Sequence, residues 1–481
     1  MKYMNLSILE LHNLLLSNKV TPLELVNEAL SLAKNDSNNA FEYICEKEAL
    51  EAVRKLDSKN RDSLLYGIPV VIKDNLLTKD IPTTASSNML NGYIPTYSSE
   101  AVNRLEKAGA IIIGKSAMDE LAMGGKGTNG HLGATYNPWD KTKTRIIGGS
   151  SSGSAAVTSS CIVPFSIGSD TGDSVRKPAS YAGLVGLKPT WGRISRYGLL
   201  PFACSLDHVG FFTRNVKDSA IVLSVLAGHD DKDETSSKEK VDDYLAEINA
   251  PIKGKKVAVI RQIIDLIHNQ NVIDSFNKTI ASLIQLGADV DYIDIDSKIL
   301  RAIYPTYTII SGVESMNNHA HLDGVNFGTK IEGTNEQDTI MKSRTKGFGN
   351  LVKRKFVIGG YSQNVEPQLY KHAKECREVI VDKFNQIFKE YDAIYCPATT
   401  GGAPKADKVF DELGDEFLIA ENYLAYANFG GYPSITLPIG FDNGLPIGAN
   451  LTCKSFEEAK LLSIADKIES STGLSNLSIY K

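Results

Sequence analysis

Three short stretches hold residue types at spacings that could do chemistry. GIPVVIKDN, residues 67–75, is an apolar, β-branched run that stops at Lys73, Asp74 and Asn75, the pattern of a buried strand delivering polar groups at its end. A lysine desolvated there has its ammonium form disfavoured, so its pKa falls and it can act as a base near neutrality. A surface lysine at a strand end would read the same way. IIGGSSSGSAAV, residues 146–157, sets glycines and serines ahead of a helix. Such a start can bind an anion on backbone N–H groups, or it can be only a serine-rich helix N-terminus. No GxxxxGK[ST] pattern occurs in this stretch and no lysine follows its last glycine, which argues against a phosphate loop there. In SDTGDSVRKP, residues 169–178, the backbone N–H groups of Thr171, Gly172, Asp173 and Ser174 could converge on an oxyanion with Ser174 Oγ beside it. The alternative is a polar turn.

Together the three stretches are more specific than any one. A serine nucleophile needs a base, and histidine is the usual one, yet the eight histidines stand in no triad context. Lys73 could serve instead through a bridging hydroxyl. Asp173 complicates this, because a carboxylate about 5 Å from a developing oxyanion costs roughly 3 kcal/mol at an effective dielectric near 20. Aspartate tolerates left-handed backbone angles, so the turn survives. The expectation is that the Asp173 side chain turns away, towards Arg176 or Lys177, and leaves only its N–H in the site.

Alternating helical and strand patterns must position these groups. TPLELVNEALSLAKN opens a helix with Thr21 as N-cap, Pro22 at the first helical position and Glu24 three residues after the cap. SSEAVNRLEKAGAIIIGKSAMDEL reads as helix, strand and helix, an αβ unit of a layered sheet protein. AAVTSS resumes a helix and IVPFSIGSD a strand. The polar segment 229–256 looks like an exposed excursion between halves, after which KKVAVI, IDSFNKTIASLIQLG, ADVDYIDI, DAIYCPA and PSITLPIG continue an αβ series. There is no internal repeat.

Composition narrows the class. The 481 residues are 42% hydrophobic and 23% charged with 39 glycines, which fits a soluble globular α/β protein. A net charge of −5 without a basic run offers no broad surface for polyanions, so nucleic acid would arrive through a partner. Six cysteines without CxxC spacing argue against a zinc site or a disulfide scaffold and fit a reducing cytoplasm. The opening residues form an amphipathic helix, not a signal sequence, and no apolar run is long enough for a membrane span.

The combination GIPVVIKDN, GGSSSGS and SDTGDSVRKPASYAGLVGLKPTWGR resembles the amidase signature family over nearly the whole chain. The resemblance implies one domain over residues 1–481, with a catalytic core at about 65–215 and a mixed central β-sheet covered by helices on both faces. It implies a Ser–Ser–Lys triad of Lys73 as base, Ser150 as bridge and Ser174 as nucleophile, with a cis peptide bond at Gly149–Ser150. Thr171, Gly172 and Asp173 supply the oxyanion N–H groups, although the family places a glycine at position 173.

MDELAMGG, YNPWD, GRISRYGLLPFACSLDHVG, ESMNNHAHLDGVNFG, VKRKFVIGGY and NFGGYPSITLPIG are similar to the glutaminase members of that family. These hydrolyse glutamine within a heterotrimer, and the ammonia goes to a partner subunit that amidates phosphorylated Glu-tRNA(Gln). On that likeness Arg354 holds the α-carboxylate with two parallel hydrogen bonds. Glu421, where those members have aspartate, faces the α-ammonium, and Tyr307 lines the pocket. No cofactor is implied for this chain, and ATP and Mg belong to the partner. The rival expectations are a free-standing amidase acting on other small amides and a non-catalytic scaffold.

Overall fold

The structure is a computed structural model, and it describes residues 1–480 apart from Val409. Eleven strands form one mixed sheet: β1 (Phe41–Ile44), β2 (Pro69–Lys73), β3 (Ile111–Ser116), β4 (Phe165–Asp170), β5 (Val185–Lys188), β6 (His208–Thr213), β7 (Lys256–Ile260), β8 (Asp289–Ile293), β9 (Ala393–Pro397), β10 (Ser434–Asp442) and β11 (Leu445–Cys453). Their spatial order is β1-β3-β2-β4-β6-β5-β10-β11-β9-β7-β8. β10 pairs antiparallel with β5, Ser434 opposite Lys188, so a strand from the second half of the chain extends the sheet of the first.

β2 lies parallel to both β3 and β4, with Ile72 opposite Lys115 on one side and Ile167 on the other. All three strands are buried along their length, which is why they read as continuous apolar runs and not as alternating ones. Their carboxyl ends therefore open on the same edge, where an open α/β sheet places its ligands. Lys73 ends β2 there, and Ser169 and Asp170 end β4. The helix Ser152–Ser159, buried on every side, connects the glycine–serine stretch to β4.

Most of the expected elements form. Thr21 caps the helix Pro22–Lys34 in a capping box with Glu24, and the polar segment after residue 229 carries only the single helical turn Tyr244–Glu247 before β7. The helix expected at SAMDEL does not form. β3 runs on through Ser116, and only the turn Glu120–Ala122 follows, with Leu121 and Ala122 at positive φ. The Asp119 carboxylate explains this, since it accepts from the amides of Gly127, Thr128 and Asn129 and holds the chain in a loop. GAIIIGKS, residues 109–116, spells the GxxxxGKS pattern, yet it is strand and not loop. Its Lys115 is buried 3.3 Å from Asp74, so these residues cannot cradle a phosphate. Among the described residues no helix is long and apolar enough to cross a membrane, and no cluster of three metal-ligating side chains occurs.

Candidate active site

Lys73 is fully buried, and hydroxyls surround its ammonium group. Nζ lies 2.7 Å from Ser150 Oγ, 2.8 Å from Ser151 Oγ and 2.9 Å from Ser169 Oγ. Ser151 Oγ donates to the Ser169 carbonyl at 3.0 Å, so it can only accept from the lysine. Asn75 Nδ2 donates to Ser169 Oγ, which fixes that hydroxyl from its other side. A neutral amine has two N–H bonds and one lone pair. Ser151 and Ser169 use the two donors, which leaves the lone pair for the Ser150 proton. Burial pushes Lys73 down to about 7, against the opposing pull of Asp119, Asp170 and Asp207.

Ser150 follows a cis peptide bond at Gly149. A side chain at residue 149 would begin 2.0 Å from Asp119 Oδ2, so glycine is required there. The Ser150 carbonyl accepts from the Asp119 amide at 3.1 Å. Asp119 thus ties the bridge residue to the 127–129 loop.

The turn after β4 is held from beneath by a buried ion pair. Asp170 accepts from Arg176 Nε and Nη2 at 3.1 and 3.0 Å and from the Val175 amide at 3.0 Å. Burial alone would raise this carboxyl, but the guanidinium beside it holds it far below the usual carboxylate range. Arg176 also donates to the carbonyls of Gly172 and Leu424 and to Asn428 Oδ1, at 2.7 to 2.8 Å. The Gly172 carbonyl is therefore drawn to the guanidinium. Among the described residues the amides of Gly172, Asp173 and Ser174 donate to no protein acceptor, and Ser174 Oγ makes no hydrogen bond. Thr171 is pinned separately, its hydroxyl donating to Asp207 at 2.6 Å. Three free amides and a free hydroxyl in one turn are what an oxyanion site needs.

The remaining expected residues surround this turn. Tyr307, in the helix Ser297–Asn318, lays its ring against Gly172, where a β-carbon would sit 3.0 Å from it. Arg354 is 60% exposed, with Glu412 Oε2 as its ion partner at 4.0 Å, so it stands on the rim. Its neighbour Lys355 turns inward. Lys355 lies 5.2 Å from the Tyr307 ring centroid and 3.2 Å from Ser311 Oγ, and burial pushes it down to about 8. Asp173 turns to Lys177, with Oδ2 3.2 Å from Nζ, while Arg176 is taken up by Asp170. Lys177 also donates to the Glu421 carbonyl and lies 3.5 Å from Glu421 Oε2. Glu421 is buried and borders a cavity of about 590 Å³ together with Tyr181 and Thr400.

Sequence reasoning missed Ser151, Ser169, Asp119, Asp207, Lys177 as a bridge, and Lys355 as the inward cation. For Ser151 and Ser169 the signal was the serine count at both ends of the αβ unit. Nothing local in the sequence marks Asp119 or Asp207.

A sequence model of the family described as Amidase matches residues 24–462. The A subunit of glutamyl-tRNA(Gln) amidotransferase from Pediococcus pentosaceus is 38% identical over 486 residues, covering 98% of each chain. Its namesake from Thermoanaerobacter pseudethanolicus is 39% identical over 479 residues, covering 98% of this chain and 97% of its own. Among solved structures, that of the Thermotoga maritima protein of the same name aligns with a TM-score of 0.73 at 32% identity, over 96% of both chains.

Proposed function

The chain belongs to the amidase family, and on that premise we propose that it hydrolyses glutamine and supplies the ammonia to a partner subunit that converts Glu-tRNA(Gln) to Gln-tRNA(Gln). The observation that carries this is the Lys73 shell: a buried lysine whose nearest neighbours are hydroxyls, one of them with its proton free to move onto Nζ. In the proposed reaction neutral Lys73 takes the Ser150 proton while Ser150 takes that of Ser174. Ser174 Oγ then bonds to the amide carbon of glutamine, and the oxyanion rests on the amides of the 171–174 turn. The proton returns through Ser150 to the leaving nitrogen, the C–N bond breaks and ammonia departs. Water activated by the same relay cleaves the glutamyl ester and restores Ser174.

Arg354 on the rim receives the α-carboxylate in this reading, Tyr307 forms a wall of the pocket and Glu421 sets its negative side. The name that the relatives share supports a heterotrimer with the two other amidotransferase subunits, in which glutamine binds here and Glu-tRNA(Gln), ATP and Mg are handled by the partner. Residues 1–481 act as one amidase-signature domain, a reading supported by the single sheet that takes strands from both halves. The setting is the cytoplasm. The test is ammonia release from glutamine by the full-length chain, together with trapping of a glutamine analogue on Ser174 and Gln-tRNA formation with the partner subunits. Hydrolysis of other amides but not of glutamine would replace this reading with that of a free-standing amidase, and no adduct on Ser174 would favour a scaffold.

A further inference from the structure

Two carboxylates and one ammonium meet beside the nucleophile, and they are not equally occupied. Glu421 Oε1 accepts from both the amide and the hydroxyl of Thr400, and Oε2 faces Lys177. Its side chain is only 6% exposed. Asp173 has one oxygen, Oδ2, on Lys177, and among the described residues Oδ1 has no donor. Its side chain is 21% exposed, more than three times as accessible as that of Glu421, and it belongs to the residue next to Ser174.

Charge makes the same distinction. With both carboxylates ionised the trio carries one negative charge more than Lys177 balances, in surroundings too dry to screen it. A cationic group arriving at the pocket would bring the count to two and two. Lys177 keeps Asp173 turned out of the oxyanion turn while leaving its second oxygen open. In glutamine the ammonium lies on the α-carbon, three carbon–carbon bonds from the amide carbon that Ser174 attacks, so a carboxylate one residue from the nucleophile is within the substrate's own span.

We propose that Asp173 is the carboxylate that receives the substrate's ammonium, and that Glu421 acts one step behind it as a positioning residue through Lys177. This rests on the glutaminase reading and sharpens it. A residue that looks damaging to an oxyanion site becomes a specificity determinant. It selects amides that carry a cation near the reacting carbon over amides that do not.

The experiment compares glutamine with glutaramate, which is glutamine without its α-amino group, on the full-length chain. For Asp173→Asn the ratio of kcat/KM for glutamine to that for glutaramate should fall about tenfold or more, and it should fall further than in Glu421→Gln. A ratio that collapses in Glu421→Gln but holds in Asp173→Asn would overturn the proposal. Binding covers the case in which Asp173→Asn is too slow to assay. Glutamine should bind Ser174→Ala about tenfold more tightly than Ser174→Ala/Asp173→Asn by calorimetry, and equal affinities would sink the inference alone. Failure of the unaltered chain to release ammonia from glutamine would remove the glutaminase reading and this inference with it.

Discussion

Lys73 and Lys177 are both buried lysines within the site, and their surroundings send them in opposite directions. Lys73 has hydroxyls and a carbonyl within hydrogen-bond distance but no carboxylate within 4 Å of Nζ among the described residues, and burial pushes it down to about 7. Lys177 suffers the same desolvation, yet Asp173 and Glu421 outweigh it and hold the ammonium charged. What a buried lysine does is thus decided by the charge of its neighbours and not by burial alone. A shell of neutral acceptors makes a base, while a shell of carboxylates makes a brace.

The strongest way to break this contrast is at the nucleophile that the first lysine serves. Ser174→Ala should lower ammonia release from glutamine by at least about a thousandfold while the thermal unfolding midpoint stays in place, since only an unbonded hydroxyl is lost. The next test is pH. A base must be neutral to work, so kcat/KM should rise as pH passes through about 7 and level off above it. A profile flat from about pH 6 to 8 would show that Lys73 does not titrate in the working range.

At the second lysine the effect should appear in stability. Lys177→Met leaves two buried carboxylates facing each other and should cost about 3 kcal/mol in denaturant unfolding. The loss should shrink as pH falls and the carboxylates protonate, whereas a pH-independent loss would point to packing alone. Smallest is a control outside both regions. Thr21→Ala removes an exposed cap and should cost about 1 kcal/mol without changing hydrolysis.

The sequence made the ends of β2 and β4 legible because each is an apolar run that stops abruptly in polar residues, and two glycine–serine turns stood where catalytic loops would be. It also pointed from Asp173 to Lys177, a pair one helical turn apart. It could not supply the rest of the Lys73 shell. Ser169 lies 96 residues from the lysine and reaches it only because β4 pairs with β2. Glu421 is 244 residues from Lys177, and no local pattern joins them. In the fold, β1 escaped notice because FEYI is only half-buried and has no clean alternation. The SAMDEL helix was misread because a pattern of residue types cannot register that the Asp119 carboxylate has three backbone amides to hold.

Arg176 clasps its own turn and, with the same guanidinium, the Leu424 carbonyl and the Asn428 side chain, 248 and 252 residues further along the chain. During synthesis the nucleophile turn is thus complete in sequence long before its clasp exists. A chain arrested before residue 424 has Ser150, Ser174 and Lys73 but lacks the far half of the fastening that shapes the turn. The ribosome must deliver nearly nine-tenths of the polypeptide before the first amide can be cleaved, so an unfinished copy cannot squander glutamine, and the fold itself times the onset of activity.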